Sequence, residues 1–352
     1  MSPQNIAVIG AGISGISISK MLTEEGKNVT LFERNDEIGG LVKCNRIQDN
    51  LFHLVGGHVF NSKNPEVLDW FWKYFDKDRE FLVAKRNAKI YLDDRFVGYP
   101  IEDHLYELPP ITVAKIIQEL LEPILDPEIN NFEQFLLKRF GPTLYKLYFK
   151  PYNSKLWNCD LSLVPIDWLN GKLPMPDNKE IILNNIFRRQ DVSMVHSNFY
   201  YPKEDGSQFI VNRLSEGLDI EFNSQINSLT FNSGKWILNG GKEFDSIVYC
   251  GDIRELNKIC FLDSVSVELN SLNELRSNGS SNLFCESDPT DISWMYIPEE
   301  KFKAHRIIYT GNFSDTNNRG SDRITCVVEF PGIQELELMS EEIKKLPGNL
   351  KV

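Results

Sequence analysis

No stretch of the 352-residue chain approaches eighteen uninterrupted apolar residues, so no membrane-spanning helix is expected. The opening MSPQN has no basic segment and no long apolar run before a cleavage site, so no secretion signal is read and a cytoplasmic protein is expected. Cysteine is sparse: six residues, none in a C-x-x-C or metal-like pair, which points to reduced thiols rather than a disulfide framework or a metal centre. Positive charge is the minority sign, with 38 Lys and Arg against 50 Asp and Glu, a net charge of -12. That balance argues against general nucleic-acid binding, and an anionic small ligand needs its own local cluster of Arg or Lys. The chain has no internal repeat and no low-complexity linker, and its length suits two or three domains.

What is present begins with VIGAGISGISISKMLTEEGKNVTLFERNDEIGG, Val8 to Gly40. IAVIG reads as a buried parallel strand, Ile13 to Glu25 as a helix stopped by Gly26, and NVTLFE as a second strand. Helical spacing returns at Pro65–Phe75, in ITVAKIIQELLEPIL, in NFEQFLLKRFG and in EIILNNIFRR. AKIYLDDRFVGYP reads as a hairpin turning at Asp93-Asp94, and after residue 198 short strands dominate. The fold class expected is α/β: a Rossmann-type domain, an inserted helical domain and an antiparallel β-sheet domain. The expected boundaries are 1–85 with 200–265 for the Rossmann-type domain, 102–197 for the helical domain, 86–101 with 266–335 for the sheet, and 336–352 as a tail.

Gly10, Gly12 and Gly15 form G-x-G-x-x-G between the strand and the helix. The first allows the tight turn, the second lets backbone approach a pyrophosphate, and the third lets helix and strand pack closely. The helix N-terminus then offers free N–H groups to the phosphate. Glu33 ends the second strand, where a carboxylate can accept from both ribose hydroxyls and repels a 2′-phosphate. The bland alternative is that these glycines only permit tight packing.

An acid followed closely by Gly39-Gly40 in ERNDEIGGLVKC resembles the two-dinucleotide-binding-domain flavoproteins, which implies FAD. The same resemblance covers DSIVYCGDI as a return strand and IEFNSQI, with Ile226, as the segment near the adenine. Further on, VGGHVFNS, GYPIEDHL, FKPYNSKLWN, FYYPKEDGSQFIVNRLSEGL and ISWMYIPEEKFKAHRIIYTGNFSDTNN resemble, in order, segments of the UDP-galactopyranose mutase family, closer to its eukaryotic-type members. The resemblance implies interconversion of UDP-galactopyranose and UDP-galactofuranose, for galactofuranose-containing glycans, with reduced FAD as a covalent nucleophile through N5.

On this resemblance Gly57 and His58 lie against the flavin, and His58 holds the neighbouring loop in its reactive state. Arg306 neutralises the UDP diphosphate and Tyr296 donates a hydroxyl to it. Trp157 and Tyr99 pack on uracil, Asn153 binds its polar edge or the ribose, and Glu102 belongs to the same substrate region. Lys172 stands where many family members have Arg, so it supplies charge without a planar fork. Phe313 stands where Tyr is common, and no counterpart is found for the family's final segment, a Gly-Arg pair and further tyrosines. NAD(P)H as reductant and a homodimer stay open. So do three other readings: a different UDP-sugar, a flavin oxidase or desaturase of the amine or protoporphyrinogen oxidase type, and a shortened, inactive FAD-binding homologue.

Overall fold

The computed structural model describes residues 4–122, 128–169, 177–189, 198–261 and 271–352. Strand β1 (Asn5–Ile9) is buried along almost its whole length, as its continuous apolar run requires. Helix α1 (Ile13–Glu24) carries the chain back to β2 (Asn28–Phe32), which pairs parallel to β1. The remaining strands of this parallel sheet come from far downstream: β9 (Asp219–Glu221) and β13 (Ser246–Tyr249) complete the order β13-β1-β2-β9. The dinucleotide-type domain is therefore discontinuous. Helix α8 (Gly206–Ser215) buries Ile210, Val211 and Leu214 in the same apolar cluster as Ile16 of α1. A small sheet, β12 (Lys242–Phe244), β11 (Lys235–Leu238), β10 (Leu229–Asn232) and β14 (Cys260–Phe261), lies beside it, next to α9 (Ile253–Ile259).

Besides the β10–β11 hairpin at Ser233 and Gly234, two hairpins turn on two residues with positive φ, the geometry whose twist matches that of the strands. One joins β6 (Ala88–Leu92) and β7 (Arg95–Gly98) through Asp93 and Asp94, as the sequence suggests. The other joins β3 (Cys44–Ile47) and β4 (Asn50–His53) through Gln48 and Asp49, and the sequence reading missed it. Helix α2 (Pro65–Phe71) stops short of Phe75 because Asp76 starts a new helix, α3 (Lys77–Glu80). Its carboxylate accepts from the backbone N–H groups of Asp78 and Arg79, so the side chain competes with continued helix.

The helical layer holds α4 (Pro110–Leu121), α5 (Phe132–Leu144), α6 (Lys150–Trp157) and α7 (Asn178–Phe187). It lies on one face of a six-stranded sheet ordered β15 (Ser280–Ser287), β18 (Ile324–Pro331), β17 (Arg306–Ile308), β16 (Trp294–Tyr296), β6, β7. Period-two alternation divides the sheet: Trp294, Tyr296 and Ile308 join the cluster under the helices, while Met295 and Ile307 join the opposite one. Residues 336–352 close that opposite face. Helix α10 (Leu336–Ile343) buries Met339 and Ile343, Leu350 is buried too, and Lys351 pairs with Glu286. A ribbon of β5 (Phe81–Lys85) and β8 (Asn198–Pro202) joins the halves. Among the described residues no helix is long and apolar enough to cross a membrane.

Candidate functional site

The glycines act where their missing side chains matter. A Cβ on Gly15 would lie 1.9 Å from the Gly10 carbonyl oxygen, so α1 can approach the β1 turn only with glycine there. Gly12 bridges to Gly39, and a Cβ on Gly40 would sit 3.0 Å from the Gly12 Cα. The two glycine loops thus meet backbone to backbone. Gly12 caps α1 without a side-chain hydrogen bond, which leaves the first N–H groups of a twelve-residue helix facing outward from this cradle. Glu33 is buried beside it. Its Oε2 accepts from the Ala11 N–H at 2.8 Å, and its Oε1 from the backbone and side chain of Asn35 at 3.0 and 2.9 Å. Each carboxylate oxygen keeps accepting capacity, so bonds to ribose hydroxyls remain available. Ser224 N–H bonds to the Glu33 carbonyl, which brings the segment containing buried Ile226 alongside this acid. The cradle, the uncapped helix and the acid together fit a dinucleotide.

The loop bearing His58 lies across the six-stranded sheet. A Cβ on Gly57 would reach within 2.5 Å of the Ile308 side chain, and one on Gly56, at φ +63°, within 3.1 Å of the Glu329 carboxylate. The His58 carbonyl accepts from the Ser207 hydroxyl at 3.3 Å. Burial pushes the His58 pKa below its usual value, with Glu329 opposing and Arg306 adding to the shift, so the ring is neutral near pH 7. His58 also lines a mainly apolar cavity of about 310 Å³, bounded by Ile13 and Ser17 of α1, Trp70 of α2 and Ile210 of α8.

Under that loop runs a row of directly opposed residues. Tyr296 of β16 faces Arg306 of β17, and Arg306 faces Glu329 of β18, so all three lie on one face of the sheet. The Arg306 Nε and Nη2 both lie 2.5 Å from Glu329 Oε2. Burial opposes the charge on Arg306, but Glu329, Tyr152 and Tyr296 outweigh it and hold the guanidinium protonated. His305 Nε2 lies 3.6 Å from the same carboxylate, and burial with Arg306 lowers its pKa to about 3. From above, α6 adds Tyr152, whose ring meets that of Tyr296 edge-on at 5.7 Å. Tyr99 stacks on Tyr296 at 4.5 Å, and burial raises the Tyr99 hydroxyl pKa well above its normal range.

The structure brings together Gly57, His58, Tyr99, Tyr296 and Arg306. It sets others apart. Asn153 donates its amide to the Phe149 carbonyl at 2.7 Å, one turn back along the helix, and keeps its side-chain oxygen for a ligand. Trp157 is 36% exposed and packs on Trp168 at 5.5 Å rather than on Tyr99. Glu102 is buried, and desolvation raises its pKa to about 7. Phe313 is a core residue among Phe199, Tyr201 and Trp294. Lys172 lies outside the described residues.

Sequence reasoning missed Glu329, Arg86, His305 and His53. Glu329 had a signal: it is the one acid inside the apolar run ITCVVEF. His53 is fully buried, bonds Tyr201 OH at 2.6 Å, and has a pKa lowered to about 3 by burial and by His58. Among the described residues no group of three His, Cys, Asp or Glu is placed to hold a metal.

This architecture defines a Rossmann-type dinucleotide-binding protein with a helical layer packed on an antiparallel sheet. A family profile described as NAD(P)-binding Rossmann-like domain matches residues 8–75. The chain is 25% identical over 272 residues to a UDP-galactopyranose mutase of Mycoplasma genitalium, covering 73% of this chain and 63% of that protein. A protein of Klebsiella pneumoniae named "Probable UDP-galactopyranose mutase" is 29% identical over 187 residues, 51% of this chain and 47% of the relative. A crystal structure of reduced UDP-galactopyranose mutase superposes with a TM-score of 0.86 at 22% identity, covering 99% of this chain and 80% of that one. The chain is thus similar in sequence to UDP-galactopyranose mutases and shares their fold. It spans roughly half to under two thirds of the length of these two sequence relatives.

Proposed function

We propose that the chain binds FAD along the glycine cradle and interconverts UDP-galactopyranose and UDP-galactofuranose on the adjoining sheet face. When bound, reduced flavin supplies a nucleophile at N5, so that the sugar isomerises without net redox change. The observation that carries this reading is the Tyr296–Arg306–Glu329 row beneath the His58 loop. A cation and a hydroxyl in one row, next to the His58 loop, suit a phosphate group.

In this reading Gly10, Gly12 and Gly15 take the pyrophosphate, Glu33 the ribose, Gly39 and Gly40 the ribityl side, and the Ile226 segment the adenine. Neutral His58 donates or accepts a hydrogen bond beside the flavin without adding charge. Arg306 and Tyr296 hold the diphosphate. Tyr99, Asn153 and Trp157 frame the nucleoside, which requires Trp157 to turn from Trp168 towards the ligand. Glu102 belongs to the substrate region beside Tyr99, and Lys172, outside the described residues, supplies a further positive charge. NAD(P)H is the proposed reductant. An amine or porphyrin oxidase has less support, because neither substrate calls for a cation–hydroxyl pair of this kind.

The test is binding. The purified chain, reconstituted with FAD and desalted, is expected to keep a flavin spectrum that UDP perturbs saturably. A colourless protein, or a flavin spectrum indifferent to UDP, contradicts the proposal.

A further inference from the structure

The row of charges under the His58 loop is nearly neutral. Arg306 brings one positive charge, and Glu329, hydrogen-bonded to its Nε and ion-paired with its Nη2, cancels it. A nucleotide sugar brings a diphosphate with two negative charges. Among the described residues the site as assembled so far therefore lacks a second cation, if the substrate is the one proposed above.

Arg86 stands next to the gap. It lies between β5 and β6, outside every motif singled out in the sequence. Its guanidinium carbon is 5.2 Å from the ring centre of Tyr99, 5.2 Å from that of Trp294 and 6.0 Å from that of Tyr296. Three aromatic rings thus fix a planar cation at the end of the row. Among the described residues no carboxylate forms an ion pair with it. Its Nη2 donates to the Tyr296 hydroxyl oxygen, while its Nε is buried with no hydrogen-bond partner. A buried donor of this kind is costly unless something accepts from it.

The bond to Tyr296 has a directional consequence. Because the tyrosine oxygen accepts from Arg86, its own proton is left to be donated elsewhere. The neighbouring positive charge polarises that O–H and makes it a stronger donor. Arg86 thereby turns Tyr296 into a hydrogen-bond donor for an anion and supplies the charge that Glu329 removes from Arg306.

We propose that Arg86 is a specificity-determining residue of the substrate site: it selects ligands carrying a diphosphate, by its own charge and by orienting the Tyr296 hydroxyl. This rests on the nucleotide-sugar reading and adds a residue that the reading did not include.

The experiment compares UDP with uridine on the FAD-loaded full chain, for the unaltered protein and for Arg86→Leu, Arg86→Lys, Tyr296→Phe and the double variant R86L/Y296F. Thermal melts check that each variant is folded. R86L is expected to weaken UDP binding about 10- to 100-fold, the worth of a charge-assisted contact, and uridine binding less than about threefold. R86K is expected to fall between R86L and the unaltered protein. It stands in for R86L if that variant does not fold. Y296F is expected to weaken UDP binding in the unaltered background and to add little to R86L, since the two side chains act together. Equal losses for UDP and uridine would reduce Arg86 to a structural residue and overturn the inference. So would unchanged UDP binding by R86L or R86K, or additive effects of R86L and Y296F. If the unaltered protein binds neither ligand, the nucleotide-sugar reading fails as a whole, a result distinct from failure of the Arg86 inference alone.

Discussion

Arg306 and Glu329 sit directly opposite each other on neighbouring strands, with both guanidinium contacts to one carboxylate oxygen at 2.5 Å. The Glu329 side chain is 6% exposed and that of Arg306 30%, so the arginine keeps an open side for a ligand. Removing the carboxylate frees the cation but leaves it partly buried without its partner. Glu329→Gln is expected to lower stability by roughly 2–3 kcal/mol, below the figure for a fully buried pair because Arg306 is partly solvated. UDP should restore more of the lost melting temperature in E329Q than it adds to the unaltered protein. A melting scan with and without UDP checks this.

Gly15 is set by contact rather than by its dihedral angles. Its virtual Cβ lies 1.9 Å from the Gly10 oxygen, and backbone on both sides prevents relief by side-chain movement. Gly15→Ala is therefore expected to displace α1 from the β1 turn and abolish FAD retention on desalting. Gly26→Ala is the comparison. Gly26 has positive φ, unlike Gly15, but nothing lies within 4 Å of a Cβ placed there, so the cost is limited to local backbone strain of about 1 kcal/mol, with FAD retained.

Glu102 gives a pH signature. Its folded pKa, raised by burial to about 7, lies above the unfolded carboxylate value. Between about pH 4.5 and 7 the folded state holds more protons than the unfolded one, so this group lowers stability as pH rises through that window. The full effect approaches about 3 kcal/mol above pH 7. Glu102→Gln should remove that slope and stabilise the protein at pH 8 relative to pH 5. Denaturant unfolding at both values measures it.

Lys155 ties α6 to the loop below it. Its ammonium donates to the carbonyls of Ile297, Glu299 and Ala304 at 2.9, 2.8 and 3.2 Å. Lys155→Ala leaves three acceptors without this donor and is expected to cost about 2–4 kcal/mol. Amide exchange should rise first across 297–304 and in α6, which carries Asn153 and Trp157, while β1 and β2 stay protected.

The Rossmann unit was legible because its signals are local: an apolar run, three glycines, a helical period and an acid at the end of the second strand. The hairpin at Asp93-Asp94 was legible for the same reason. The β3–β4 hairpin was not, since its turn opens on Gln48, which unlike Asp93 is not a usual turn residue, although both take positive φ. Tyr296 and Arg306 could be named from resemblance, but the alignment of Arg306 with Glu329 depends on the pairing of β17 with β18, which joins residues 23 positions apart in the chain. Arg86 shows the limit most clearly. In KRNAK it looks like one of several solvated charges, and only the fold encloses it in three aromatic rings. Trp157 shows the reverse: its motif was visible, but it packs on Trp168 through contacts that no motif records.

The most direct measurement of the central claim is turnover. The FAD-loaded chain is incubated with UDP-galactofuranose, with and without dithionite, and the nucleotide sugars are separated by chromatography. The account predicts UDP-galactopyranose only after reduction, with no net consumption of reductant per turnover. A reduced, flavin-loaded protein that binds UDP yet leaves UDP-galactofuranose unchanged would contradict it.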